Sequence, residues 1–264
     1  RIVIIDIDEA SQVQLGQWPW ERQTLASIVD VLFDTYQIRA LGFDVLFAEA
    51  GRSGGNDAFA EAFIARDVIT GFVFKDSLAA NEPEFTGTLP PPIIPAQDVA
   101  GFSVPFFFDS PLIDSDGVFR RTPLVQQYRG DLYPTLALAV VHAAGGAPPL
   151  GFEFASDSRR GIDLEAFRIG DARIPVDARA AVFIPFRGPQ ESFRFIPARD
   201  IVNQTVPLEL LQGKIALVGA SAAGLLDLRS TPVGQRYIGV EVHANLVAGL
   251  LDGTIRQQPA WSDG

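Results

Sequence analysis

The sequence predicts an α/β fold: a mostly parallel central sheet with flanking helices, plus an antiparallel, hairpin-rich extension. Three observations predict it. First, "IVIIDID" (2–8) and "ALGFDVLF" (40–47) are short apolar runs, and between them Leu25, Ile28, Val29, Leu32, Phe33 and Tyr36 fall on one helical face. Two apolar strands joined by a helix make a β-α-β unit with parallel strands and a right-handed crossover. Second, the chain ends as it begins, with strand "KIALVG" (214–219) followed by helix "VEVHANLVAGLLDG" (240–253). Third, segments such as "AFRIGDARIPVD" and "AVFIPFRG" between 151 and 196 read as hairpins with Gly-Asp and Arg-Gly punctuation.

The remaining elements follow in order. "DAFAEAFIA" then "DVITGFVF" (57–74) repeats the helix-then-strand pattern, while the proline-rich "NEPEFTGTLPPPIIP" (81–95) predicts an irregular excursion. "GVFRRTPLVQQY" (117–128) alternates like a half-exposed strand, and "YPTLALAVVHAAG" (133–145) reads as a helix with proline in its first turn and glycine at its end. Asp252-Gly253 resembles a helix C-cap. The expected organisation is one domain over 1–264, with an α/β core from 1–110 and 197–264 and a mixed antiparallel extension at 111–196.

Composition narrows the function. With 47% hydrophobic and 20% charged residues the chain is globular. Its 32 acidic against 21 basic residues give a formal charge of -11, so phosphate backbones and anionic membrane surfaces repel it, and no nucleic-acid partner is expected. Without cysteine there is no disulfide, thiolate zinc site or thiol nucleophile. The absence of methionine, including at position 1, predicts a segment of a longer protein whose signal or anchor lies elsewhere. The longest apolar stretches, such as "PTLALAVVHAAGGAPP" (134–149), fall short of the ~18 unbroken apolar residues of a membrane span.

"LVGASAAGLLDLRSTP" (217–232) nearly matches three site motifs. Gly219 and Gly224 have phosphate-loop spacing, but Leu225 and Leu226 replace the lysine and hydroxyl that bind phosphate and magnesium. Ser221 occupies the middle glycine of a dinucleotide turn. Gly219 and Ser221 fit an esterase elbow whose last glycine is Ala223. Ser221, Asp227 and His243 follow the serine-acid-histidine order of that class, which leaves a serine hydrolase as one alternative. Against it, the three fall within one strand-loop-helix, and His243 shares an apolar helical face with Leu246, Val247 and Leu250, the pattern of a core or interface histidine.

Asp6, Asp8 and Asp44 lie toward the C-terminal ends of two parallel strands, the edge where open α/β sheets bind ligands. Clustered carboxylates raise one another's pKa unless a cation is present, and Arg22, Arg229, a metal ion or a cationic ligand could supply it. Salt bridging is the plainer reading, metal binding at Asp6, Asp8 and Asp44 the minority one. "DSDG" (114–117) has the flavour of a calcium loop without its further ligands, so a plain turn is favoured. The tryptophans of "GQWPWER" (16–22) are expected to lock a helix start by packing, and Phe102, Phe106, Phe107 and Phe108 to serve core or interface.

Together, "VIIDIDEASQVQLGQWPWERQTLASIVDVL", "ALGFDVLF", "DSDGVFRRTPL", "YPTLALAV" and "GKIALVGASAAGLLDLRSTPVGQRYIGVEVHANLVAGLLDG" resemble the type-2 CHASE sensory domain, in the family's order and over almost the whole chain. The resemblance is weakest from about 50 to 100 and from 145 to 180. The family's hallmark positions correspond to Asp6, Asp8, Trp18, Pro19, Arg22, Asp44, Asp116, Gly117, Gly219, Asp227, Arg229, Thr231, Pro232, Glu241, His243 and Asn245. The resemblance implies an extracytoplasmic, periplasmic or extracellular input module of a bacterial membrane receptor. Membrane helices and an adenylate or guanylate cyclase, histidine kinase or Ser/Thr kinase output would lie in the parent chain. It implies no catalytic residue and no cofactor. The expected partners are a second copy in a homodimer and a small-molecule or ionic signal. The candidate ligand-binding set is Asp6, Asp8, Arg22, Asp44, Ser221, Asp227, Arg229 and His243. A purely structural dimerisation module remains a further alternative.

Overall fold

A computed structural model describes residues 1–47, 55–72, 103–105, 114–128, 131–157, 161–177, 179–225 and 228–257. The first part of the chain forms β1 (Ile2–Ile7), α1 (Glu9–Leu15), α2 (Arg22–Asp30), β2 (Ala40–Leu46), α3 (Asn56–Glu61), β3 (Val68–Phe72) and β4 (Ser103–Pro105). The middle forms β5 (Arg121–Pro123), β6 (Val125–Tyr128), β7 (Asp131–Pro134), α4 (Leu136–Ala144), β8 (Leu150–Asp157), β9 (Gly161–Ile169), β10 (Ala172–Pro175) and β11 (Ala181–Phe183). The last part forms β12 (Phe195–Pro197), α5 (Ala198–Val202), β13 (Ile215–Ala220), β14 (Leu228–Thr231), β15 (Gly234–Ile238) and α6 (Gly239–Asp252).

The fold is α/β, as the periodicity predicts. Among the described residues six strands form one sheet in the order β12-β1-β13-β2-β3-β4, and every neighbouring pair is parallel. β1 and β2 run parallel but do not touch: β13 lies between them, pairing Leu217 with Ile4 on one side and with Gly42 on the other. The opening β-α-β unit is thus split by a strand from the far end of the chain. β13 suits this central place because Ile215, Ala216, Leu217, Val218 and Gly219 are all buried, the signature of a strand covered on both faces.

Alternation along β1 sorts the two cores. Val3, Ile5 and Ile7 join Leu25, Ile28, Val29, Leu32, Phe43 and Phe59 under α2 and α3, whereas Ile4 joins Leu138, Val140, Leu217 and Val247 under α4 and α6. Each residue of α4 is buried, so this helix shows no polar face. α4 lies within the segment 111–196 yet packs on β2, β3 and α6 in the main core. Gly42 admits it: a Cβ there would stand 2.7 Å from Val140 Cγ2. Pro134 ends β7 one residue ahead of the Thr135 N-cap, which accepts from the Leu138 N–H at 3.4 Å, so the proline precedes the helix instead of occupying its first turn.

The antiparallel segments are β8-β9-β10, β5-β11, β6-β7 and β14-β15. Gly170, at φ 55°, makes the turn expected between β9 and β10. "GVFRRTPLVQQY" supplies two strands where one is expected, because the Pro123 nitrogen cannot donate and the fully buried Leu124 breaks the run. α6 ends at Gly253 in the left-handed region, φ 64°, as its C-cap predicts. Among the described residues no helix is long and apolar enough to cross a membrane. The proline-rich 81–95 and Phe102, Phe106, Phe107 and Phe108 lie outside the described residues.

Candidate functional site

The insertion of β13 between β1 and β2 brings the turn after it to the C-terminal edge of the sheet, with Asp6 on one side and Asp44 on the other. Asp6 is 8% exposed; its Oδ1 accepts the Ser221 N–H at 3.0 Å and its Oδ2 accepts the Ser221 hydroxyl at 2.7 Å. Glu9 accepts the Ala223 N–H at 2.8 Å, and Asp8 caps α1 by accepting the Ser11 N–H at 2.8 Å. The small-residue turn is therefore held by the acids of the β1-α1 junction. Burial pushes the Asp6 carboxyl up to about 6, the Ser221 hydrogen bonds pull the other way, and the neighbouring charges of Asp8 and Glu9 add to the rise.

Gly219 has a packing role. A Cβ there would stand 2.4 Å from Val240 Cβ, so the glycine lets α6 lie directly on β13. Nothing lies within 4 Å of a Cβ built at Gly224.

That close approach delivers His243. Its Nε2 lies 3.8 Å from Asp44 Oδ1, with the histidine side chain 24% exposed and the aspartate 8%. Burial, then the positive charge of Arg229 on β14, pushes the His243 imidazole down to about 4. Asp44 Oδ1 stands beyond hydrogen-bond distance of the ring, and the neutral imidazole prevails near pH 7. A neutral imidazole with part of its surface open beside a nearly buried acid can donate or accept, and so can read a polar or ionic ligand. Arg22 is 7% exposed, its guanidinium 4.5 Å above the Phe47 ring and 5.7 Å from that of Phe59.

Not every predicted neighbour is brought together. Ser221 makes no hydrogen bond to His243, so the serine-histidine pair of a hydrolase is not formed, and Asp227 lies outside the described residues. Asp6, Asp8 and Asp44 do not converge on a metal: among the described residues no group of three or more acids and histidines is arranged to hold one. Glu9 was not distinguishable in the sequence, since an acid in a helix first turn is ordinary. "DSDG" is a turn: Asp116 accepts the Val118 N–H at 3.0 Å and Arg120 bridges Asp116 and Asp114, each at 2.7 Å. Those Arg120 hydrogen bonds hold Asp116 down at about 2. Trp18 and Trp20 meet edge to face at 5.3 Å, and the Trp20 ring N–H donates to the Gly16 carbonyl at 2.7 Å, fixing the chain between α1 and α2.

The opposite face of α6 carries a second buried polar group. Glu241 and Asn245, one helical turn apart, are both 0% exposed. Glu241 accepts the N–H groups of Glu191 (3.0 Å), Ser192 (2.7 Å) and Phe193 (3.4 Å). Asn245 accepts the Arg187 N–H at 2.9 Å and donates to the Tyr237 hydroxyl at 2.9 Å and the Glu241 carbonyl at 2.8 Å. Burial raises the Glu241 carboxyl and pushes the Tyr237 phenol up to about 12. "GVEVHAN" thus spaces a loop clamp (Glu241, Asn245) around an edge residue (His243).

The two shifted groups at the edge make opposite contributions to acid stability. Asp6 titrates above its ordinary 3.8, so its contribution is full below that value and is lost as pH rises through about 6. His243 titrates below 6.5, so its contribution is full above that value and is lost as pH falls through about 4. Each is worth up to about 3 kcal/mol and the two largely cancel between those limits. Asp6→Asn is expected to expose the histidine, with stability falling from pH 6.5 toward 4. His243→Gln is expected to expose the aspartate, with stability rising as pH falls through about 6. Urea midpoints across pH check this; parallel profiles for the wild type and both variants would contradict it.

No curated protein and no solved structure matches the chain. The family model of the CHASE2 domain matches residues 1–263, and the chain, with its parallel sheet and edge of Asp6, Asp44 and His243, belongs to that family of extracellular sensory domains.

Proposed function

We propose that this CHASE2 domain is the input module of a bacterial transmembrane receptor, displayed on the periplasmic or outer face of the inner membrane. Its parent carries an adenylate or guanylate cyclase, a histidine kinase or a Ser/Thr kinase as output. The signal is a small molecule or ion that meets Asp44, His243 and Arg229 at the sheet edge. Asp6, Asp8, Ser221 and Arg22 hold that edge in shape. The domain answers by a change of conformation or homodimer geometry, which requires only that the signal favour one of two states.

Family membership carries the sensory reading, and the placement of His243 beside Asp44 carries the site. In the parent receptor, Asp44→Asn and His243→Gln are each expected to shift the dose-response of the output by about tenfold or more, the equivalent of losing one charge-assisted contact. Membrane expression should be unchanged. A receptor that responds normally with this domain scrambled would end the sensory reading. Normal responses in both point variants would end the assignment of the site alone. An output that ignores every stimulus but collapses when dimerisation is disrupted would favour the structural-module alternative.

A further inference from the structure

At the other end of the strands, the start of β1, the loop 187–194 and the last turn of α6 enclose an open cleft of about 410 Å³. Among the described residues, Arg1, Arg187 and Arg194 face it with Asp252 as the single acid, and Phe193 and Leu251 form its apolar wall. In a chain of formal charge -11 this excess of arginine is a local reversal of sign.

Two of the arginines have a structural use. Arg1 bonds Asp252 at 2.6 Å and Arg187 bonds it more closely still, which neutralises an acid placed unfavourably at the negative end of α6. Arg194 has no such use. It is exposed, and its guanidinium makes no hydrogen bond or ion pair among the described residues. A planar fork of donors beside a second arginine and an aromatic wall suits a carboxylate attached to an apolar body.

The loop that presents these groups is set before any ligand arrives. Glu241 fixes the backbone at 191–193 and Asn245 fixes it at Arg187, while Gly249 lets the helix close on Pro185, whose Cγ would stand 2.3 Å from a Cβ there. Fully burying a carboxylate is costly, and its three N–H partners lie in this loop. Preorganisation of this kind lowers the cost of binding.

We propose that the cleft between loop 187–194 and the C-terminal turn of α6 binds a small organic acid, its carboxylate on Arg194 and Arg187 and its hydrocarbon on Phe193 and Leu251. The cleft is separate from the Asp44 and His243 edge, and the proposal does not rest on that site. Glu241 and Asn245 act in it as positioning residues.

Calorimetric titration of the 264-residue domain with benzoate, phenylacetate and hexanoate, at constant ionic strength in chloride, tests it. Saturable binding of at least one acid is expected, with its uncharged amide weaker by about tenfold or more. Arg194→Ala should weaken the acid by a similar factor while leaving the thermal midpoint in place, since its side chain supports nothing else. Arg194→Lys should restore part of the binding, because a point charge lacks the fork. Absence of saturable binding by all three acids, equal binding of acid and amide, or undiminished binding by Arg194→Ala would each overturn the proposal.

Discussion

Glu241→Ala is expected to cost the fold about 3 kcal/mol or more, with Glu241→Gln losing roughly half as much. The carboxylate is fully buried and accepts three consecutive backbone N–H groups of 191–193, so truncation leaves several donors without an acceptor and a void beneath the loop. Glutamine keeps the volume and one carbonyl oxygen, which can serve Ser192, whose bond is the shortest of the three at 2.7 Å. Urea unfolding measures the size of the loss. Hydrogen exchange gives its place: protection should fall first at the amides of Ser192 and Phe193 and at Arg187, whose N–H reaches the same face of α6 through Asn245. An alanine variant within about 0.5 kcal/mol of wild type, the range of a neutral surface change, would remove the clamp from this account.

Gly219→Ala is the second large effect, expected at about 3 kcal/mol from overpacking in a place that cannot relax. The new Cβ would lie 2.4 Å from Val240 Cβ and 2.6 and 2.9 Å from its two methyl carbons. β13 is hydrogen-bonded on both sides, so it cannot step away without straining β1 and β2. α6 must move instead, carrying His243 away from Asp44 and the Glu241 clamp away from its loop. Shortening Val240 to alanine leaves its Cβ in place, so only glycine clears the contact. Val240→Gly alone costs packing and about 1 kcal/mol of helix propensity. The double variant should nevertheless be more stable than the sum of the two single losses. Simple additivity, read from denaturant midpoints, would show that the two positions do not meet.

How much of this was legible in the sequence depends on the range of the interaction. The continuous apolar run of β1, the helical face from Leu25 to Val29 and the glycine stop of α6 are local patterns, and each appears where the residues place it. α4 was legible as a helix from its Thr135 cap and terminal glycine, but its burial on all sides follows from the layer it occupies. The acids at strand ends were legible as candidates because parallel strands put their C-terminal ends on one edge. Their partners were not: Asp8 turned to cap its own helix, Asp6 took Ser221, and Glu9 rather than an arginine completed the hold on the turn.

The sequence by itself determined the class of the fold, the strands and helices with strong periodicity, and the family to which the chain belongs. Each depends on residue order along a short stretch or on words spread in a recognisable succession. Only the tertiary structure decided that β13 separates β1 from β2, that Gly219 serves contact with Val240, and that Glu241 and Asn245 hold a loop some fifty residues earlier in the chain. The physical reason is that strand order and side-chain partnership are set by which distant surfaces bury best against one another, a quantity that no local pattern contains.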